Sequence, residues 1–233
     1  MAHDETMQAL LASFNNPEHA RRYGDGPRRF IPGFADLHRM TAILLAERAS
    51  DDARILVLGA GGGLELRAWA DAHLGWTFVG VDPAAAMLDE ARRVLGADAE
   101  RVIFCEGYID DAPEGPFDAA ACLLTLHFLD PAERTRTLRE LRRRLKPGAP
   151  FVAAHYSFPQ GDGGRTLWLS RYGAFALASG ADPEQVGKMC AGVDANLPIL
   201  DPEQDEAILR EAGFTDVALF YAAFTWRGWV GYA

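Results

Sequence analysis

Arg54-Ile55-Leu56-Val57-Leu58-Gly59-Ala60-Gly61-Gly62-Gly63-Leu64-Glu65-Leu66 decides how the rest of the chain is read. Four apolar residues end abruptly in a run that is glycine at four of five positions, and a helix-forming segment follows. A short, bounded apolar run is the pattern of a strand buried on both faces of a parallel sheet. The glycines permit a tight turn and leave no Cβ between backbone and ligand. Amides at the start of the next helix point at whatever lies there. The stretch therefore reads as a ligand-binding strand-turn-helix, and a branched side chain at Gly61 is expected to enter the ligand space.

A dinucleotide fingerprint, G-x-G-x-x-G, would place its third glycine where Leu64 stands. The spacing is instead G-x-G-x-G, at Gly59, Gly61 and Gly63. A second apolar run, Trp76 to Val81, ends at Asp82-Pro83. Asp82 lies about twenty residues past the turn, where an acid accepts the hydroxyls of a ribose. Asp-Pro also recurs at Asp130-Pro131, Asp182-Pro183 and Asp201-Pro202. Each of these reads as a helix N-cap with proline at the first helical position, so Asp82 has two readings, ribose acceptor or cap.

The 233 residues suffice for a single domain. A net charge of −10 argues against general nucleic-acid or anionic-membrane binding. The densest basic cluster, Arg134 to Lys146, falls on one expected helix and reads as its solvated face. Cys105, Cys122 and Cys190 are odd in number and lack C-x-x-C spacing, which points to a reducing compartment and to no metal site. The acidic start, Met1 to Glu5, leads into no apolar targeting segment, and a cytoplasmic protein is expected.

From Arg54 onward strands and helices alternate. Helices are expected over Leu64 to His73, Ala84 to Leu95 and Pro131 to Leu145, and strands over Arg101 to Cys105, Phe117 to Leu124 and Pro150 to His155. Residues 1–50 precede this core as a helical cap, including a helix from Phe34 to Ala49. Residues 156–200 break the period and read as an insertion or lid, with Trp168, Tyr172 and Phe175 on one helical piece. After a helix from Pro202 to Ala212, the strands Asp216 to Ala222 and Phe224 to Tyr232 are too close for a crossover and must pair antiparallel. The expected fold is α/β: a Rossmann-like, seven-stranded, mostly parallel sheet with helices on both faces and a terminal antiparallel hairpin.

On these elements the chain resembles the class I S-adenosylmethionine (SAM) methyltransferases over nearly its whole length. The glycine turn resembles their motif I, Gly80-Val81-Asp82-Pro83-Ala84-Ala85-Ala86-Met87-Leu88 their motif II, and Glu106-Gly107-Tyr108-Ile109-Asp110-Asp111 their adenine-binding loop. Thr125-Leu126-His127-Phe128-Leu129-Asp130-Pro131 and Arg29-Phe30-Ile31-Pro32-Gly33-Phe34 resemble the subgroup that makes carboxy-SAM. The resemblance implies SAM as cofactor, S-adenosylhomocysteine as product, and a cofactor site built from Gly59, Ala60, Gly61, Gly63, Asp82, Pro83, Met87, Gly107, Tyr108, Ile109 and Leu124. Arg28 and Arg29 precede the capping helix, and one of them, Arg29 among the site residues, is read either as the partner of the carboxylate of the methionine half or as an exposed loop arginine. Two positions depart from the family pattern: Val57 stands where an acid is common, and Tyr108 where an aspartate is common.

Methyl transfer from a sulfonium is an in-line displacement, in which alignment and desolvation carry most of the catalysis. A base is needed only where the acceptor must lose a proton. The candidates are His127 and His155, with Tyr156 as an orienting hydroxyl. The reading is methyl transfer to a small-molecule acceptor, with a homodimer left open. The alternatives are carboxy-SAM synthase-like or tRNA-modification chemistry, or a SAM-binding module without catalysis. The carboxy-SAM enzymes that the chain resembles hold their extra carboxylate with an arginine whose matching position here is near Pro198. No lysine or arginine occurs between Lys188 and Arg210, and a buried carboxylate without a cation is disfavoured. Protein purified from a carboxy-SAM-producing host is therefore expected to release SAM or S-adenosylhomocysteine on denaturation. Carboxy-SAM as the main species by mass spectrometry would reverse this expectation.

Overall fold

The computed structural model describes residues 2–233, the side chains of residues 2–6 and 25 apart; Met1, the first residue of the expected cap, lies outside them. Seven strands form one sheet: Arg54–Leu58 (β1), Thr77–Asp82 (β2), Val102–Glu106 (β3), Ala119–Leu123 (β4), Pro150–Tyr156 (β5), Thr215–Ala223 (β6) and Trp226–Tyr232 (β7). Their order is β3-β2-β1-β4-β5-β7-β6. The first five strands run parallel, while β7 is antiparallel to β5 and β6 to β7. This is the Rossmann-like sheet with terminal antiparallel pair that the alternation of apolar runs predicts.

The central strands alternate between two cores. Ile55, Val57, Ala119, Ala121, Val152 and Ala154 face one side, where Phe34–Ala46 (α4) and Leu64–Ala72 (α5) deliver Leu37, Leu45, Leu66 and Trp69. Leu56, Leu58, Ala120, Cys122, Phe151 and Ala153 face the other, against Leu138 and Leu141 of Pro131–Arg143 (α7) and Ile208 and Leu209 of Pro202–Glu211 (α10). A strand period of two divides the side chains between faces. The small residues of β4, Ala-Ala-Ala-Cys-Leu, allow both helix layers to approach closely. Ala85–Leu95 (α6) joins β2 to β3.

Before β1 the chain forms Ala2–Phe14 (α1), Pro17–Arg22 (α2), a 3₁₀ turn at Tyr23–Asp25, Pro27–Phe30 (α3) and then α4. Asn16 caps α2 by accepting the N–H groups of Glu18 and His19. Three hydrogen bonds hold this region to the last strands: Tyr221 Oη donates to Pro32 O at 2.5 Å, Trp226 Nε1 to Phe30 O at 3.3 Å and Tyr232 Oη to Glu47 Oε2 at 2.9 Å. After β5 come Gly164–Ala178 (α8) and Pro183–Asn196 (α9). The α9 helix has no clear apolar period, and only its Asp182-Pro183 cap announces it; the Asp182 carboxylate accepts the N–H of Gln185 at 3.0 Å.

The basic cluster on α7 is not uniformly solvated, contrary to the sequence reading. Arg134 and Arg144 are buried. The Arg134 guanidinium pairs with the buried Asp205 of α10 and donates to Leu129 O and Pro198 O. His155 of β5 lies 3.2 Å from the same carboxylate. Burial works against the Asp205 carboxylate, but His155 and then Arg134 outweigh it and hold its carboxyl below the ordinary value. The reason for the difference is positional: Arg134 shares the inward face of α7 with Leu138 and Leu141, and an acid on α10 neutralises it. Asp205→Ala leaves the Arg134 charge buried alone and is expected to cost about 3–5 kcal/mol of stability, read from the urea midpoint of unfolding.

Candidate functional site

The four glycines of the turn are required by four different neighbours. A Cβ at Gly59 would collide with the Thr125 side chain, at Gly61 it would lie 2.6 Å from Asp82 Oδ2 and 2.9 Å from Met87 Cβ, at Gly62 2.6 Å from the Tyr23 ring, and at Gly63 2.8 Å from Ala91 Cα. A side chain at Gly61 thus meets Asp82 and Met87, both walls of the smaller cavity. Gly62 and Gly63 also hold positive φ, +81° and +67°, which other residues adopt at a cost.

Asp82 closes the turn. Its Oδ2 accepts the N–H of Gly61 and its Oδ1 the N–H of Ala84, each at 2.9 Å. The α6 helix begins at Ala85 with Ala84 as its N-cap and no side-chain cap bond. Asp130 and Asp182, in contrast, each cap the N–H three residues on. Burial raises the Asp82 carboxyl to about 6, against the two N–H donors that lower it.

Two cavities open at the carboxyl ends of the parallel strands, the position where open α/β sheets bind ligands. One, of about 420 Å³, is walled by Gly59, Gly61, Asp82, Pro83, Met87, Gly107, Tyr108, Ile109 and Leu124, together with Phe14, Tyr23, Thr125 and Phe128. The other, of about 780 Å³, lies between α1–α3 and α9 and is walled by His127, Tyr156, Tyr172, Trp226, Phe30, Ile31, Met189 and Leu197, among others. Leu10, Phe14, Tyr23, Leu124 and Phe128 face both. Leu124 holds φ +58°, an unusual backbone for a branched residue and one that tends to mark functional sites.

Most residues singled out in the sequence meet here, but four do not. Ala60 is buried below the turn, with its N–H on Val81 O, and Gly63 packs on α6. Arg29 is exposed on α3, away from both cavities. His155 points to the opposite sheet face, against Trp229 and Asp205, because strand alternation sends Tyr156 to the cavity and its neighbour away. Tyr108 lines the smaller cavity while 55% exposed, its N–H held by Asp111 at 2.8 Å.

His127 is buried on a 3₁₀ turn, Leu126–Phe128, against Tyr156 and Trp226. Burial, with His155 and Arg134 adding to it, holds its imidazole neutral well below the ordinary pKa. Its Nδ1 accepts the Tyr156 N–H at 3.4 Å, leaving Nε2 as the protonated nitrogen. The hydroxyls of Tyr156 and Tyr172 meet at 2.7 Å, and burial raises both pKa values. Sequence reasoning missed Phe14, Tyr23 and Phe128. Their only signal is an aromatic residue next to a loop, Phe14 before Asn15-Asn16-Pro17 and Tyr23 before Gly24-Asp25-Gly26. Among the described residues, no three His, Cys, Asp or Glu side chains are placed to hold a metal, and no helix is long and apolar enough to cross a membrane.

Residues 55–148 match the methyltransferase-domain family. The carboxy-SAM synthase of Actinobacillus succinogenes is 28% identical over 215 residues, which is 88% of this chain and 87% of the relative. Among solved structures, PigF with S-adenosylhomocysteine superposes with a TM-score of 0.69 at 18% identity, covering 95% of this chain but only 61% of PigF. Human N-acetylserotonin methyltransferase in complex with SAM gives 0.63 at 14%, covering 96% and 58%. The structural likenesses show the fold, and the domain match covers residues 55–148, less than half of the chain. The chain is thus similar in fold to SAM-dependent methyltransferases and in sequence to carboxy-SAM synthases.

Proposed function

We propose that the smaller cavity holds SAM, the larger one holds a small-molecule methyl acceptor, and the two meet where the methyl passes. The observation that carries this is the shared wall: Leu10, Phe14, Tyr23, Leu124 and Phe128 belong to both cavities. In-line transfer needs donor and acceptor in adjoining, dry compartments. The residues fit the cofactor. A cavity of about 420 Å³ lies within the range of small-ligand sites, and its buried Asp82 carboxylate is an acceptor for ribose hydroxyls. Gly107, Tyr108 and Ile109 with Met87 border the adenine. Gly59, Gly61 and Pro83 let the backbone approach, and Leu124 closes the end toward the acceptor. Ala60 and Gly63 support this site from beneath, and Arg29 and His155 act outside it.

When bound, SAM supplies a methyl group already activated by its sulfonium. The protein's part is alignment and exclusion of water. Aromatic walls from Phe30, Tyr156, Tyr172 and Trp226 suit an acceptor with a planar or apolar body. His127 serves as a neutral Nε2–H donor that orients the acceptor, since its Nδ1 is engaged by the Tyr156 N–H. The N-terminal helices and the α8–α9 insertion act as cap and lid. The reading extends to a cytoplasmic enzyme, in keeping with three cysteines that remain thiols, and leaves room for a homodimer.

The second reading is carboxy-SAM synthase-like chemistry, favoured by the relatives at 28% identity. Against it, the arginine that contacts the Pro198 carbonyl is Arg134, which Asp205 already neutralises. Arg165 is engaged by Asp194, and Arg171 lies over Trp168. Lys188 and Arg22 line the larger cavity from its exposed rim.

Incubation with methyl-labelled SAM and a metabolite extract tests the main reading: label is expected in a small-molecule fraction, and its absence across extracts would leave a binding module. Asp82→Asn offers one acceptor oxygen where two backbone N–H groups and a ribose compete. It is expected to weaken S-adenosylhomocysteine binding by about 1.5 kcal/mol or more, measured by calorimetry; an unchanged Kd would confine Asp82 to loop architecture.

A further inference from the structure

Glu133, Arg136 and Thr137 share one face of α7, since residues three and four apart on a helix are neighbours. Glu133 and Thr137 line the smaller cavity together with Tyr108 and Ile109. Arg136 fixes their place there. It donates to Glu133 through Nη2 at 2.6 Å and Nε at 2.9 Å, and to Asp110 through Nη1 at 3.0 Å. Asp110 belongs to the 3₁₀ turn Ile109–Asp111, so the half-buried Glu133 carboxylate is tied to the same loop that walls the cavity. An ordinary ion pair on a solvated helix needs no such third member. Thr137 is the second sign. It is 4% exposed, and its hydroxyl reaches only Glu133 Oε1, at 3.5 Å, too long for a strong bond. Thr135 on the same helix instead donates to Pro131 O at 2.9 Å. A buried hydroxyl that forgoes such a bond and lines a cavity is open to a ligand.

Asp82 and Glu133 are the only acids among the described residues that line this cavity, and no described lysine, arginine or histidine lines it. Asp82 accepts the N–H groups of Gly61 and Ala84 at the glycine turn, which leaves its remaining lone pairs to the ribose. In the loop after β3, Asp110 is held by Arg136 and Asp111 accepts the Tyr108 N–H. Resting on the SAM-binding reading above, we propose that Glu133 and Thr137 read the edge of the adenine: Glu133 accepts from the exocyclic amine, and Thr137 donates to the ring nitrogen beside it. Adenine carries that donor next to that acceptor, and a carboxylate next to a hydroxyl is the complement. Glu133 Oε2 accepts only from Arg136 Nε, which leaves it a lone pair for the amine. Arg136 is a positioning residue, holding the carboxylate against the adenine loop. A purine with a carbonyl in place of the amine would set oxygen against carboxylate, so the pair selects adenine over hypoxanthine.

Calorimetry tests this without turnover, using S-adenosylhomocysteine and S-inosylhomocysteine, whose 6-amine is replaced by a carbonyl oxygen. The parent is expected to bind the inosyl ligand at least about tenfold more weakly, the loss of a hydrogen bond to a charged group. Glu133→Gln keeps the shape and adds N–H donors for the carbonyl. In that variant S-adenosylhomocysteine should weaken at least about threefold and the inosyl ligand should strengthen, closing the gap between them to within about threefold. Thr137→Val, close in shape but without the hydroxyl, should weaken S-adenosylhomocysteine at least about threefold. The inference is overturned if the parent binds both ligands alike, if Glu133→Gln keeps the parent's preference, or if Thr137→Val binds S-adenosylhomocysteine as the parent does. A Glu133 that only braces the loop through Arg136 would, once replaced, weaken both ligands equally, and that result also overturns the inference. Should a variant fail to fold, the parent's ratio decides alone. A parent that binds neither ligand would instead sink the cofactor reading, before any variant is compared.

Discussion

The N–H of Gly61 donating to Asp82 joins the ends of β1 and β2 across the mouth of the sheet. One carboxylate, accepting from Gly61 and Ala84, fixes both the glycine turn and the start of the loop into α6. The other contacts of the turn follow from the position so defined. Gly62 lies under the Tyr23 ring, Gly63 lies on Ala91, and Gly59 lies beside Thr125 at the end of β4. Three connections therefore converge on four residues that lack side chains, and the cavity is the space left between them. Burial keeps the Asp82 carboxyl near 6, so the group stays an acceptor at neutral pH while remaining poorly hydrated.

The same economy of charge appears on the opposite sheet face. Arg134, Asp205 and His155 bring α7, α10 and β5 together inside an otherwise apolar layer. Buried ion pairs are weak contributors to net stability but severe penalties when broken. Here the pair dictates which face of α7 turns inward and ties the segment after α9, through Pro198 O, to the sheet. The α8–α9 segment is therefore anchored by polar contacts at its end, while its two helices pack on each other and α8 packs on α3.

The sheet was readable because its strands are short apolar runs closed by glycine or Asp-Pro, signals that act within a few residues. The terminal hairpin followed from loop length alone. The wall of the smaller cavity was readable where residues sit at or just past those strand ends, as with Asp82 and Ile109. Arg29 and His155 show where such reading stops. Which way Arg29 faces depends on how α3 packs, and the side taken by His155 depends on a strand boundary one residue long. Tyr23 and Phe14 reach the cavity from far upstream, by contacts that no periodicity encodes. Arg134 illustrates the reverse case, a charged residue in a basic run whose burial depends on an acid 71 positions away.

The bonds from Tyr221 to Pro32 and from Trp226 to Phe30 carry a consequence for biosynthesis. The first helices emerge from the ribosome early, yet their anchoring partners lie within the final residues of the chain. The parallel strands β1 to β5 can assemble while the polypeptide is still growing, but the N-terminal wall of the larger cavity acquires its fixed place only after β7 has been released. The Phe30 and Pro32 carbonyls thus stay without these donors for most of translation, and a nascent chain stalled before residue 221 would hold α3 without its last polar contacts.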